Sequence, residues 1–179
     1  MPQANADWKT AGATCGHCCS KKQAIFGYKL HLLVTQRGVI RDFELAPANI
    51  TDLEAGTELL ERHWGLRVLA DKGYISRAVA TELREQAQIE VVTLPRSNQR
   101  PQPSAAFRHL HAHLRQLIET VNSQPALQFH VETNHAHTFW GLTAHLYTKL
   151  TAHTFCVWIN RLLGVPEVLP LKTLAFPSI

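Results

Sequence analysis

The stretch GLRVLADKGYIS, Gly65 to Ser76, decides how the chain is read. Leu66-Arg67-Val68-Leu69-Ala70 is an apolar run of strand length, and a carboxylate, Asp71, follows it at once. In open α/β sheets ligand chemistry gathers beyond the carboxyl ends of strands. Asp71 is therefore a candidate functional acid, as well as a candidate turn or cap residue. Working outward, a helix is expected from about Arg77 to Ala87, and IEVVTL reads as another strand. Upstream, Thr51-Asp52-Leu53-Glu54 matches a capping box, which starts a helix running to about Arg62. Further back, Tyr28, Leu30, Leu32 and Val34 alternate with Lys29 and His31, the period of a half-buried strand. TQRG supplies a turn, and VIRDFEL, Val39 to Leu45, returns as a second strand. Strands alternating with helices in this order specify an α/β layer fold.

Downstream, PRSNQRPQPS, Pro95 to Ser104, is a loop, and Ser104 is placed to cap the helix AAFRHLHAHLRQLIETVNSQ. Phe107, Leu110, Leu114, Leu117, Ile118 and Val121 recur at helical spacing as its buried face. Arg108, His111, Arg115 and Glu119 fall on a different stripe. A last helix is expected from about Thr138 to Leu163, stopped by Gly164 with Pro166 beyond. Three regions result: a polar N-terminal loop segment over 1–25, one α/β core over 26–164, and a tail over 165–179.

With 179 residues, 45% hydrophobic and 18% charged, the chain has the composition of an ordinary globular domain. No apolar run is long enough to span a bilayer, and MPQANADWKTAG lacks the profile of a signal peptide. A cytoplasmic protein with no membrane partner is expected. The net charge of +4, the pI of about 9.0 and eleven histidines suit an anionic partner such as nucleic acid. Arg96, Arg100, Arg108, His109, His111, His113 and Arg115 succeed one another with no acid among them. They are either DNA-facing or an ordinary solvated basic face. CGHCC carries the pair Cys15 and Cys18 at C-x2-C spacing, with His17 and Cys19 beside it. A structural zinc site needs four ligands, and no second pair follows at finger spacing, so these and Cys156 read as reduced thiols.

Glu119 stands one helical turn after Arg115 on an otherwise basic stripe, so the two side chains can meet. Such a pair is either a surface salt bridge or a metal-binding carboxylate held by an arginine. Phosphodiester chemistry supplies a reason for the second option. Hydrolysing DNA and joining its 3′ hydroxyl to another strand needs an activated oxygen and a stabilised leaving oxygen. Two divalent ions about 4 Å apart serve both, and hard magnesium takes clustered carboxylates as ligands. Three acids normally hold such a pair. Residue patterns alone give two candidates, Asp71 and Glu119.

FGYKLHLLVT, GVIRDFELAPANITD, VLADKGYIS and RQLIETVNSQ together resemble the core of bacterial insertion-sequence transposases of the DDE type, over about Gly12 to Gly164. The elements G-x-K-x-H, P-A-N-x-x-D, A-D-K-G-Y and R-x3-E are specific in this order. The resemblance implies a ribonuclease H-like mixed sheet flanked by helices. It makes Asp71 the second acid and Glu119 the third, both binding Mg2+ (or Mn2+) in a two-metal site, with Arg115 as the arginine before the glutamate. It implies DNA as partner, contacted through Lys29, His31, Arg96, Arg100, Arg108 and Arg115, and a homodimer when active. Asp52 matches the acid after P-A-N, while Lys72 and Tyr74 stand as supporting residues. Where many relatives carry a tyrosine and a lysine around R-x3-E, this chain has Ala112 and Ala126. The family's first acid lies on an upstream strand, and the only acid before Phe26 is Asp7, in NADWKT, which does not match. The expectation is a partial or inactive copy lacking its first strand. The alternatives are a noncatalytic DNA-binding remnant or regulator, a simple nuclease on the same fold, and a zinc protein unrelated to DNA.

Overall fold

The computed structural model describes residues 6–18, 23–74, 76–93, 104–133, 135–165, 170–171 and 174. In chain order these form α1 (Ala6–Thr10), β1 (Thr14–Cys18), β2 (Gln23–Val34), β3 (Ile40–Pro47), α2 (Asp52–Glu61) and β4 (Arg67–Leu69). A 3-10 turn (Lys72–Tyr74), α3 (Arg77–Ala87), β5 (Glu90–Val92), α4 (Ala105–Leu127) and α5 (Phe139–Leu162) complete the order. One antiparallel sheet has the order β1-β2-β3, and β4 and β5 pair in a second, parallel sheet. The arrangement is mixed α/β, consistent with an α/β nuclease-like fold. The chain divides into two compact units.

The unit drawn from Thr14–His31 and Asp42–His113 holds the β-rich part. Its helix α2 starts as the capping box dictates: the Thr51 hydroxyl accepts from the Glu54 amide at 3.2 Å, and the Glu54 carboxylate accepts from the Thr51 amide at 3.0 Å. Ala55, Leu59 and Leu60 of α2 are buried, as are Leu83 and Ala87 of α3. Parallel strands need a crossover, and α3 supplies it between β4 and β5. Ser76 caps α3 by accepting from the Val79 amide at 3.2 Å. At its other end Gln88 adopts the left-handed conformation (φ 52°), which turns the chain so that Ile89 enters the core fully buried.

One expectation for this region is corrected. The polarity of residues 1–25 predicts loop, yet β1 pairs with β2 from Thr14 opposite Gly27 to Cys18 opposite Gln23, and α1 precedes it. The sequence TCGHC has no apolar alternation because β1 is an edge strand, held by backbone pairing and by close approach. A Cβ on Gly16 would run into the Ala48 carbonyl. The Thr14 hydroxyl donates to Asn49 Oδ1 at 2.7 Å and accepts from the Asn49 amide at 3.1 Å. The P-A-N turn therefore fastens β1.

The other unit comprises Met1–Ala13, Leu32–Arg41 and Leu114–Ile179. Here α5 begins at Thr138, whose hydroxyl accepts from the Gly141 amide at 3.0 Å, and ends before Gly164 (φ 69°). Leu142, Leu146, Leu150 and Val157 bury one side of α5, and Val121 of α4 is fully buried in the same unit. His153 reaches from α5 to α4, with Nε2 at 2.8 Å from Gln124 Oε1. The helix expected to end at Gln124 runs on through Pro125 to Leu127. The proline removes one amide donor close to the helix end, where few bonds follow it. The apolar stripe of α4 is uneven: Leu110 is 49% exposed, whereas Val121 has no exposure. Among the described residues no helix is long and apolar enough to cross a membrane.

Candidate active site

The period of a strand puts Lys29 and His31 on one side of β2, and each reaches a different element. Lys29 Nζ lies 3.0 Å from Asp52 Oδ1, the carboxylate of the first residue of α2. Both partners are partly exposed, so the pair fixes geometry more than it adds stability. His31 is only 4% exposed, and its Nδ1 lies 3.1 Å from the Tyr74 hydroxyl in the 3-10 turn. The two rings meet edge to face, with centroids 5.6 Å apart. Three sequence motifs, G-x-K-x-H, P-A-N-x-x-D and A-D-K-G-Y, thereby close into one polar cluster within a single compact unit.

Asp71 opens this turn. Ala70 extends the parallel ladder by donating to the Val92 carbonyl at 3.1 Å, and the Asp71 carbonyl then accepts from the Tyr74 amide at 3.0 Å. The acid thus sits at the carboxyl end of β4, exposed, as the strand pattern requires. Burial pushes the Tyr74 phenol above its usual range, with the Asp52 and Asp71 charges adding to the effect. Both carboxylates consequently act on the same hydroxyl. Burial also holds the His31 imidazole below its ordinary range, opposed by Asp52, assisted by Lys29 and opposed again by Glu44. At neutral pH the pair is a neutral imidazole against a protonated phenol. Its Nδ1 to hydroxyl contact can form in either tautomer, while His31 Nε2 is buried with no partner among the described residues.

Sequence reasoning passed over the residue that lets this cluster close. A Cβ on Gly56, in the middle of α2, would lie 2.8 Å from Tyr74 Cδ1. The tyrosine ring therefore lies directly against the helix backbone. A glycine inside an otherwise good helical pattern was the available signal.

The other expected residues fall elsewhere. Arg115 and Glu119 lie on α4 in the other unit, with Arg115 Nε 3.1 Å from Glu119 Oε1 and both side chains about two-thirds exposed (69% and 66%). Arg108 is exposed on the same helix. Arg96 and Arg100 lie outside the described residues, as do Cys19 and most of the loop from Pro95 to Ser104. His31, expected to meet DNA, is buried and bonded to Tyr74. Lys29, expected to do the same, is engaged with Asp52. Asp7, the acid considered for the missing first position, accepts from the Phe139 amide at the start of α5, at 2.6 Å. Cys15 and Cys156 are free thiols. Among the described residues no group of three or more histidine, cysteine, aspartate or glutamate side chains is assembled to hold a metal ion.

The profile of the family described as Transposase DDE domain matches residues 9–138, well over half of the chain. Comparison with curated proteins and with solved structures gives no match. The match spans β1, the Lys29–Asp52 and His31–Tyr74 cluster, Asp71, and the Arg115–Glu119 pair. An exposed acid at a strand end, motif residues locked together by the fold and a family profile covering the same segments lead to one conclusion: the chain belongs to the transposase DDE domain family, which is tied to DNA transposition.

Proposed function

We propose that the chain derives from an insertion-sequence transposase that cleaves and joins DNA strands, with Asp71 and Glu119 as two of its three catalytic acids and Arg115 positioning Glu119. The observation that carries this reading is the cluster around Tyr74. Lys29–Asp52 and His31–Tyr74 tie β2 and α2 to the turn that Asp71 opens, which fixes the acid's backbone at a strand end. Family members use divalent metals. The described residues do not make up the three-acid set that such a pair of ions needs, so no step is assigned to a metal. What the side chains do by themselves is narrower. Arg115 neutralises Glu119 and points a guanidinium toward solvent, where a DNA phosphate can meet it. Tyr74 stays protonated, since burial and the charges of Asp52 and Asp71 both disfavour its phenolate, and its hydroxyl pairs with His31. With two of three acids matched, catalysis by this chain alone is expected to be weak but metal-dependent, as in a partial copy, whereas an inactive copy would leave only the second reading.

A second reading, a noncatalytic DNA-binding regulator of a full-length transposase, is favoured by the exposure of Arg108 and Arg115 and by the commitment of Glu119 to Arg115. One assay separates the two. Supercoiled plasmid is incubated with the chain and Mn2+, and nicked and joined products are scored beside binding at several salt concentrations. Nicking that needs metal and disappears in Asp71→Asn and in Glu119→Gln supports the catalytic reading. Salt-dependent binding without cleavage supports the regulator, because phosphate contacts release counterions. Nicking untouched by both substitutions overturns the assignment of the acids, and absence of binding at low salt overturns both readings.

A further inference from the structure

Helix α5 carries two apolar sides. Leu142, Leu146, Leu150 and Val157 are buried on one, whereas Trp140 (80%), Tyr147 (57%), Phe155 (54%), Trp158 (50%) and Leu162 (64%) are half exposed or more. At 3.6 residues per turn these five fall within an arc of roughly 80°, on the side away from the buried row. Within this arc Phe155, Trp158 and Leu162 follow one another at helical spacing. Phe155 and Trp158 are stacked, with ring centroids 5.5 Å apart and planes inclined by 29°.

The stacked pair lines an open groove of about 820 Å³. Val165 also lines it, with Arg37 and Val39 from the turn between β2 and β3, and Arg161 from the turn of helix after Trp158. All these residues belong to the same compact unit. The described lining holds two arginines and no acidic side chain. Cations beside exposed aromatic faces call for an occupant that brings negative charge together with flat rings. A second copy of this chain would bring the same arginines, whereas a nucleic acid strand brings phosphates and bases. A groove of this volume is of the size that holds a small ligand, too small for a duplex but sufficient for a nucleotide. Stacking on aromatic rings needs an unpaired base, because a paired base offers its faces only to its neighbours.

We propose that this groove is a platform for an unpaired DNA strand, in which a base stacks on Phe155 and Trp158 while Arg37 and Arg161 hold the flanking phosphates. The proposal rests on the reading of the chain as a DNA-binding protein and adds where and in what form DNA is held. Stacked bases are bound with little regard to sequence, so any unpaired strand serves as probe.

The test uses the full chain and a fluorescein-labelled oligodeoxythymidine, beside a duplex of equal length, with affinity read by anisotropy at low salt. Phe155→Ala and Trp158→Ala are each expected to weaken single-strand binding by about tenfold or more and to leave duplex binding unchanged. Trp158→Phe, which keeps a ring, restores most of the loss. Trp140→Ala, outside the groove, is expected to have little effect. Circular dichroism confirms that the variants fold. Equal single-strand affinity in wild type, Phe155→Ala and Trp158→Ala overturns the proposal, as does an equal loss for duplex and single strand. A dimer in sedimentation that Trp158→Ala dissociates assigns the row to a second copy and also overturns it. Wild type that binds duplex but no single strand sinks this proposal alone, whereas wild type that binds neither sinks the DNA reading with it.

Discussion

Tyr74 and His31 satisfy each other in a place where water is scarce, so neither can lose its polar atom cheaply. Tyr74→Phe removes the hydroxyl 3.1 Å from His31 Nδ1 and leaves a buried ring nitrogen unpaired. The expected cost is about 1–3 kcal/mol in urea unfolding; an unchanged midpoint would show that the pair contributes nothing to stability. His153 gives a second prediction at this scale. Burial pushes its imidazole down to about 4, and Nδ1 is buried without a partner among the described residues. Between that value and the ordinary 6.5 the unfolded chain binds more protons than the folded one. The contribution to stability is therefore complete above about pH 6.5 and is lost as pH falls toward 4. The thermal midpoint should drop between pH 7 and pH 5, and His153→Gln should flatten that part of the profile. Motif spacing made Lys29, His31, Asp52 and Asp71 legible in the sequence. The bond between His31 and Tyr74 was not, because two residues so far apart reveal their contact only once β2 and the 3-10 turn are placed.

Helix α2 shows how one element can obey a local rule at one end and break another in its middle. The capping box at Thr51 and Glu54 reads directly from sequence, since all its partners lie within one turn. Gly56 does not, because its purpose is the Tyr74 ring on another element. Gly56→Ala should gain up to about 1 kcal/mol in helix propensity. It should lose about 1–3 kcal/mol to the collision with Tyr74. Net destabilisation is expected, with the Tyr74 environment disturbed in near-ultraviolet circular dichroism; a net gain would mean that the ring moves aside freely. Among the other elements, α3 and α5 follow their periodicity and caps closely. Strand β1 escaped detection because an edge strand of polar residues carries no alternation, and its evidence is a close backbone approach at Gly16 and Ala48. Helix α4 runs past the end of its expected stretch, because Pro125, so late in a helix, removes too little to stop it.

For the whole molecule the governing quantity is charge, a net +4 with eleven further histidines. If α4 meets DNA through its exposed basic stripe, Arg115→Ala should weaken binding to all sequences alike. It should also reduce the slope of log affinity against log salt by about one. Equal slopes for wild type and variant would remove Arg115 from the contact. The mixed α/β character was visible in the sequence, because alternation of strands and helices is a local pattern. The division into two units was not. It depends on which segments meet at long range, and the unit bearing Glu119 collects three separate stretches of chain.

The bond from Asp7 to the Phe139 amide joins residues 132 positions apart. A chain emerging from the ribosome has made β2, α2 and the Tyr74 cluster long before α5 exists to receive that carboxylate. The β-rich unit can therefore assemble during synthesis, while the other waits for nearly the whole chain and carries the higher loop-closure cost. Refolding should then proceed in two stages, with protection of the Leu83 and Ile89 amides from hydrogen exchange preceding that of Val157.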